Sequence, residues 1–288
     1  MADGLRQPVE RGAAPFDQRT LGLRTDVATV PPGLGRLAGQ IAIVTGSTLG
    51  LGKVISQLFC LEGATVAVVG RDRERGRHAA DAAGERAQFF QADLATESGC
   101  RQLVESVTAD LGPPSILVNN AVKNGPSVHD GAVTDVTWKT WESVLSVNLM
   151  AAAMLCRFTL PAMVAAGSGA IVNVSSRAAE RGTPRSAAYS ASKGGLNALT
   201  RSIAMDFSRQ GVRCNTVQAG YILHERRDAD VSEENLAMRR AQHLTRLARP
   251  LDVAQAVLFL AGPESSTITG VTLHVDGGST SVRGRVLG

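Results

Sequence analysis

Seven short runs, most of them continuously apolar, punctuate the chain at 41–45, 66–69, 86–91, 116–121, 170–175, 212–217 and 271–275. Val66-Ala67-Val68-Val69 has no polar position at all. Such runs mark strands buried on both faces, since a strand with one wet face would alternate. Between them, apolar residues recur at helical spacing over 53–61, about 135–166, 189–208 and 250–260. Strand and helix thus take turns, which predicts an α/β fold of seven strands flanked by helices. No internal repeat or linker divides residues 37–288, so one domain is expected there. Residues 1–36 carry Pro8, Pro15, Pro31 and Pro32 with no sustained apolar periodicity. They predict a flexible extension or an arm that packs on a neighbouring subunit. They hold no apolar core of a signal peptide, and Asp3, Glu10, Asp17 and Asp26 are foreign to a transit peptide.

Composition narrows the class. Hydrophobic residues are 44% of the chain, enough for a buried core. No apolar run approaches the length of a membrane span, so a soluble protein without membrane contact is expected. The net charge is +4 and the arginines are scattered without interleaved aromatics, which argues against nucleic acid as a partner. Cys60, Cys100, Cys156 and Cys214 stand apart from one another and from histidines at ligand spacing. Buried free thiols in a reducing, cytoplasmic setting are predicted, with no metal site.

The candidate chemistry begins at the end of the first strand. Gly46-Ser47-Thr48-Leu49-Gly50-Leu51-Gly52 joins it to a helix. Glycines there let the backbone approach a pyrophosphate, whose charge meets the helix N-terminus. The second strand ends in Gly70 and Arg71, without the carboxylate that would hold free ribose hydroxyls. Glycine leaves room, and arginine offers a fork for a 2′-phosphate. NADP(H) is therefore the expected cofactor, with NAD(H) possible, and the hydroxyl of Ser47 is a second candidate for the phosphate. Asp72 reads as the N-cap of the next helix. Asp93 can accept from an adenine amino group or cap a helix. Asn119 and Asn120 can brace the sheet and the cofactor. Asn148 is a poor mid-helix residue and predicts a bound water or a kink. The polar segment 223–246 is placed to act as a lid.

The centre of the chemistry is the stretch 176–193. Tyr189 and Lys193 stand four apart, one helical turn, so both can share a face. To trade protons near neutrality the tyrosine pKa must fall from about 10 to near 7, about 4 kcal/mol. One ammonium at about 4 Å in an effective dielectric of about 20 supplies on the order of 4 kcal/mol. Ser176, at the end of the fifth strand, can hold the substrate oxygen that Tyr189 protonates. Arg177, Ala178 and Tyr221 are candidates for the substrate wall. Arg181 and Arg185 would favour an anionic substrate unless they are simply solvated.

With these residues in hand, the chain resembles the classical short-chain dehydrogenase/reductases over about 37–281. The resemblance rests on Thr45-Gly46-x-x-x-Gly50-x-Gly52, Asp93-Leu94, Asn119-Asn120-Ala121, Asn148, Ser176, Tyr189-x-x-x-Lys193, Gly220-x-Ile222 and Val275-Asp276-Gly277-Gly278. It implies a single Rossmann-like, doubly wound domain with a seven-stranded parallel sheet. It implies a catalytic tetrad of Asn148, Ser176, Tyr189 and Lys193, in which Asn148 holds a water that links Lys193 to solvent. It also implies cofactor contacts from Gly46, Ser47, Gly50, Leu51, Gly52, Arg71, Asp93, Leu94, Asn120, Ala121, Tyr189, Lys193, Gly220 and Ile222. Substrate contacts would come from Ser176, Tyr189 and Tyr221. The implied activity is hydride transfer between the nicotinamide and a ketone or secondary alcohol, in a homotetramer or homodimer. Rival readings are an NAD-preferring alcohol dehydrogenase, a non-catalytic nucleotide-binding regulator and an enoyl reductase. Three positions depart from the family pattern. Val122 replaces a glycine and should crowd the loop after the fourth strand. Ala219 replaces a proline and should loosen the turn before Gly220. His224 replaces a threonine at the nicotinamide amide.

Overall fold

The computed structural model describes residues 33–124, 128, 130–223 and 231–281. The extension therefore lies outside it except at its end, where Arg36 pairs with Glu62; Leu37, the first residue of the expected domain, is buried at 1% exposure. The chain runs β1 (Ile41–Val44), α1 (Gly50–Leu61), β2 (Thr65–Gly70), α2 (Arg73–Asp81), β3 (Ala87–Gln91), α3 (Glu97–Asp110) and β4 (Ile116–Asn119). It continues with α4 (Trp138–Leu145), α5 (Ala151–Ala165), β5 (Gly169–Ser176), α6 (Ala187–Phe207), β6 (Val212–Ala219), α7 (Glu233–Arg240), α8 (Pro250–Ala261) and β7 (Thr272–Val275). Each predicted strand is present, with ends displaced by one or two residues.

The seven strands form one parallel sheet in the order β3-β2-β1-β4-β5-β6-β7. Alternate residues feed two cores. Ala42, Val44, Val66, Val68 and Val118 pack with Ile55, Leu58 and Phe59 of α1 and Val253, Val257 and Leu258 of α8. Ile43, Ala67, Val69, Leu117 and Ile171 pack with Leu103 and Val107 of α3, Leu155 and Met163 of α5 and Ile203 of α6. Both faces are covered, which is why the strand sequences lack polar alternation. The chain first turns outward through β2 and β3, then returns past β1 to β4. That reversal opens a crevice beyond the C-terminal ends of β1 and β4, the usual place for a ligand in such sheets.

The helix predicted over about 135–166 is broken in the middle. A π-helical turn, Ser146–Met150, separates α4 from α5 and contains Asn148. The whole run Trp138–Ala165 is long and apolar enough to cross a membrane by length and composition, contrary to the expectation that no stretch approaches a span. Leu155, Cys156, Leu160 and Met163 are instead buried in the core beneath the sheet, which accounts for its apolar character. All four cysteines are free and buried. Burial pushes the Cys60 and Cys156 thiols up to about 12 and Cys100 up to about 11.

Candidate active site

A cavity of about 590 Å³ opens at the crevice. Every residue named above as a cofactor contact lies in its wall, with one exception. The exception is Ser47, whose side chain is fully buried. Its Oγ donates to the Val44 carbonyl at 2.6 Å and accepts the Val69 N–H at 2.8 Å. The hydroxyl ties β1 to β2, so it does not face the cavity and cannot serve a phosphate. Thr48, the next residue, lines the cavity in its place.

The glycine turn is forced by space. Gly46 has φ +63°. A Cβ there would come within 2.8 Å of the Ala121 Cα, and one at Gly52 within 2.4 Å of the Gly46 carbonyl. The helix that follows starts unusually bare. Leu49 gives no side-chain cap to α1, and its first turn holds no acidic residue. Its leading N–H groups and positive dipole end are therefore open to an anion, and no carboxylate competes for them. These features fit a dinucleotide pyrophosphate.

At the far end of the cavity, Gly70 abuts Thr48, whose Cγ2 would lie 2.4 Å from an added Cβ. Arg71 and, unforeseen from the sequence, Arg75 both line the wall. Asp72 is drawn aside as expected: it accepts the Arg75 N–H at 2.9 Å, capping α2, and pairs with the Arg75 guanidinium at 3.2 Å. Asp93 lines the cavity and accepts the Ala95 N–H, while Thr96 takes the cap of α3.

Two asparagines leave β4 in different directions. Asn119 starts a buried polar ladder across the sheet, donating to Asn173 Oδ1 at 2.8 Å; Asn173 donates to Thr200 Oγ1 at 2.8 Å, and Thr200 meets Thr216 at 2.8 Å. Asn120 turns back to the glycine turn, with Nδ2 donating to the Thr45 and Gly46 carbonyls at 2.9 and 3.2 Å. The loop then passes Val122, which is exposed at 45% and lines the cavity rather than crowding the loop. Asn148 fixes the next residue. Its Oδ1 accepts the Lys123 N–H at 2.7 Å, and its Nδ2 donates to the Lys123 carbonyl at 3.3 Å and to Ser192 Oγ at 3.1 Å. Asn148 lies behind the cavity wall, and the π turn is what aims its amide across to α6. Such turns recur at functional sites.

Ser176, Tyr189 and Lys193 come together in the wall, on β5 and α6. Ser176 Oγ accepts the Ala178 N–H at 3.2 Å, capping a 3₁₀ turn, Arg177–Ala179. Lys193 is 3% exposed, and its Nζ donates to the Val174 carbonyl at 2.8 Å and lies 6.0 Å from the centre of the Tyr189 ring. Burial lowers its pKa from 10.5 to about 8. The start of α6 is held by a residue that sequence reading missed. Ser186 makes no side-chain cap; Asp130 accepts the Ala188 N–H at 3.1 Å and the Tyr189 N–H at 2.9 Å. It is a carboxylate on the positive end of α6.

On the β7 side, β6 runs on through Ala219, in register with Ser176 and Val275. The predicted loosening is absent, because alanine simply continues the strand and Gly220 donates to the Val275 carbonyl at 3.1 Å. Tyr221 lies outside the cavity wall, with the Arg239 guanidinium 4.0 Å from its ring centre. Part of the expected lid is helical: α7, capped by Ser232, with Glu233 and Glu234 in its first turn and Arg239 and Arg240 in its last. Leu223 donates to the Ala248 carbonyl at 2.8 Å, closing the base of that segment. His224 lies outside the described residues.

A family model described as enoyl-(acyl carrier protein) reductase matches residues 46–280. An NADP-dependent (R)-specific alcohol dehydrogenase of Lentilactobacillus kefiri is 37% identical over 252 residues, covering 85% of this chain and 98% of that protein. The cis-4-hydroxycyclohexanecarboxylate dehydrogenase of Sinomonas cyclohexanicum is also 37% identical, over 251 residues, with the same coverage of 85% and 98%. A crystal structure from Agrobacterium tumefaciens, provisionally described as a gluconate dehydrogenase, superposes with a TM-score of 0.81 at 28% identity, over 87% of this chain and all of that one. The chain belongs to the short-chain dehydrogenase/reductase family, oxidoreductases acting on alcohol or carbonyl groups.

Proposed function

We propose that the protein moves a hydride between NADP(H) and a ketone or secondary alcohol, with Tyr189 as the acid or base. The observation that carries this is the meeting of Ser176, Tyr189 and buried Lys193 in the wall of the cavity that also contains the glycine turn. A bound nicotinamide supplies the hydride in reduction and accepts it in oxidation. Tyr189 gives its phenolic proton to the carbonyl oxygen in one direction and takes it from the alcohol in the other. Ser176 Oγ donates to the same oxygen. The Lys193 ammonium favours the tyrosinate and binds the nicotinamide ribose, and Asn148 steadies the loop beside it and holds the water leading out. The open N–H groups of α1 hold the pyrophosphate. Arg71, with Arg75 behind it, holds the 2′-phosphate.

The preference for a carbonyl rests on two hydroxyl-bearing residues, Ser176 and Tyr189, in the wall of one cavity. The preference for NADP rests on the two arginines, on Asp72 being engaged elsewhere, and on the NADP-dependence in the name of the Lentilactobacillus relative. The Sinomonas relative is named for a hydroxy carboxylate. The proposed setting is the cytoplasm, in a homodimer or homotetramer, for which exposed Met205, Phe259 and Val271 supply apolar surface. Light scattering that gives a monomer at micromolar concentration would contradict the assembly. The function is tested by mixing purified protein with a panel of ketones and following cofactor absorbance. NADPH should be used in preference to NADH by about 10–100-fold, the worth of one charge-assisted phosphate contact. Arg71→Ala should narrow that gap. A wild-type preference for NADH overturns the cofactor assignment, and no turnover of any ketone or alcohol overturns the activity.

A further inference from the structure

The peptide groups of Tyr189 are gripped by side chains on both sides. Asp130 accepts its N–H at 2.9 Å. Its carbonyl accepts the Ser192 hydroxyl at 2.6 Å. A serine that bonds back to a carbonyl of its own helix is common, and by itself it says little about chemistry. Ser192 differs in its second bond. Its Oγ also accepts from Asn148 Nδ2 at 3.1 Å, across 44 residues of sequence.

The remaining bonds of Asn148 go to the loop after β4. Oδ1 accepts the Lys123 N–H at 2.7 Å, and Nδ2 donates to the Lys123 carbonyl at 3.3 Å. Lys123 lines the cavity between Val122 and Asn124, and Tyr189 lines it too. The donor inventory fixes the direction of each bond. A serine hydroxyl has one hydrogen, and Ser192 gives it to Tyr189, so towards Asn148 it can only accept. Both amide hydrogens of Asn148 are then engaged, and its oxygen serves Lys123. Three hydrogen bonds in series therefore connect the backbone of the cavity wall to the backbone of Tyr189. Ser192 and Asn148 are 0% and 2% exposed, so bulk water does not reach the link.

We propose that Ser192 is a positioning residue, the joint through which Asn148 holds the Tyr189 peptide at a fixed distance from the cavity wall at Lys123. For activity this rests on the oxidoreductase reading above, and it gives that site a further member. Without Oγ, one buried amide hydrogen of Asn148 has no acceptor, which is unfavourable, and the Tyr189 carbonyl loses that donor. The amide then turns to find another partner and releases Lys123. The wall and the phenol are no longer held together, and a misplacement of about 1 Å can cost about 10²-fold in rate.

The test compares wild type with Ser192→Ala, both as full chains checked by circular dichroism. Hydrogen exchange read by mass spectrometry should show residues 120–124 exchanging about 10-fold faster in the variant, with β4 itself unchanged. That reading needs no substrate. For whichever ketone the wild type reduces, kcat should fall about 10–100-fold, while NADPH affinity, by fluorescence, changes little. Adding Asn148→Ala to Ser192→Ala should lower kcat scarcely further than the worse single change, as for residues that act through one another. Should Ser192→Ala not fold, Ser192→Cys keeps the size with only a weak donor and acceptor and carries the same comparison. Unchanged exchange, a wild-type kcat in the variant, an equal loss of NADPH affinity, or single losses that multiply in the double variant overturns the proposal. If the wild type reduces no ketone, the oxidoreductase reading falls, and the exchange result alone decides whether Ser192 is the joint.

Discussion

Lys193 places an ammonium where water is scarce, and the consequence is measurable without substrate. Its pKa in the folded protein is lowered by burial to about 8, against 10.5 for the exposed side chain. Below about pH 8 the group is charged in both folded and unfolded chains, and the fold carries the full penalty of burying it. Between about 8 and about 10.5 the unfolded chain still binds the proton while the folded one has released it. The unfolded state then binds more protons, so stability rises with pH across that window, by about 3 kcal/mol for this one group. Lys193→Met has no such proton to lose. Urea midpoints of wild type and variant, compared from about pH 8 to about pH 10, should converge or cross in favour of wild type as pH rises. Parallel curves would mean that the ammonium is not desolvated. A site that tolerates this penalty fits a residue kept to lower a neighbouring tyrosine pKa.

Helix α6, which carries Tyr189 and Lys193, shows what an element owes to a distant loop. Asp130 takes two N–H groups of its first turn, Ala188 and Tyr189, across separations of 58 and 59 residues. Asp130→Ala should cost about 0.5–2 kcal/mol of stability, as for other lost caps, and lower turnover by loosening Tyr189. Asp130→Asn keeps an oxygen acceptor and should recover most of both. Chemical denaturation and kcat on the three proteins check this; an alanine variant as stable and as active as wild type would show that the cap is idle. That cap was not legible in the sequence, because Asp130 sits in a polar loop and nothing local points it at α6. The glycine turn was legible from its place between β1 and α1, although the contact that excludes a side chain at Gly46 comes from Ala121, far along the chain. Asn148 was half legible. Its poor fit to a helix signalled an irregularity, but not that the irregularity is a π turn aiming the amide at Lys123 and Ser192. Ser47 misled because a hydroxyl in a phosphate-binding sequence can face either the ligand or the next strand, and here it bridges to Val69.

At the scale of the whole molecule, the sheet order brings these parts together. Residues from the ends of β1, β2, β4, β5 and β6 meet at one cavity because all seven strands are parallel and end on the same side. The central strands β1, β2 and β4 were legible because burial on both faces leaves unbroken apolar runs. The central claim is that this assembly exists to let Tyr189 move a proton, and Tyr189→Phe tests it most directly. That change removes one oxygen and keeps the ring, so the fold, by circular dichroism, and NADPH binding, by fluorescence, should be preserved. Turnover of whichever ketone the wild type reduces should fall by about 10²–10⁴-fold, the usual contribution of a positioned acid or base. A folded, cofactor-binding Tyr189→Phe protein that retains near wild-type turnover would contradict the account.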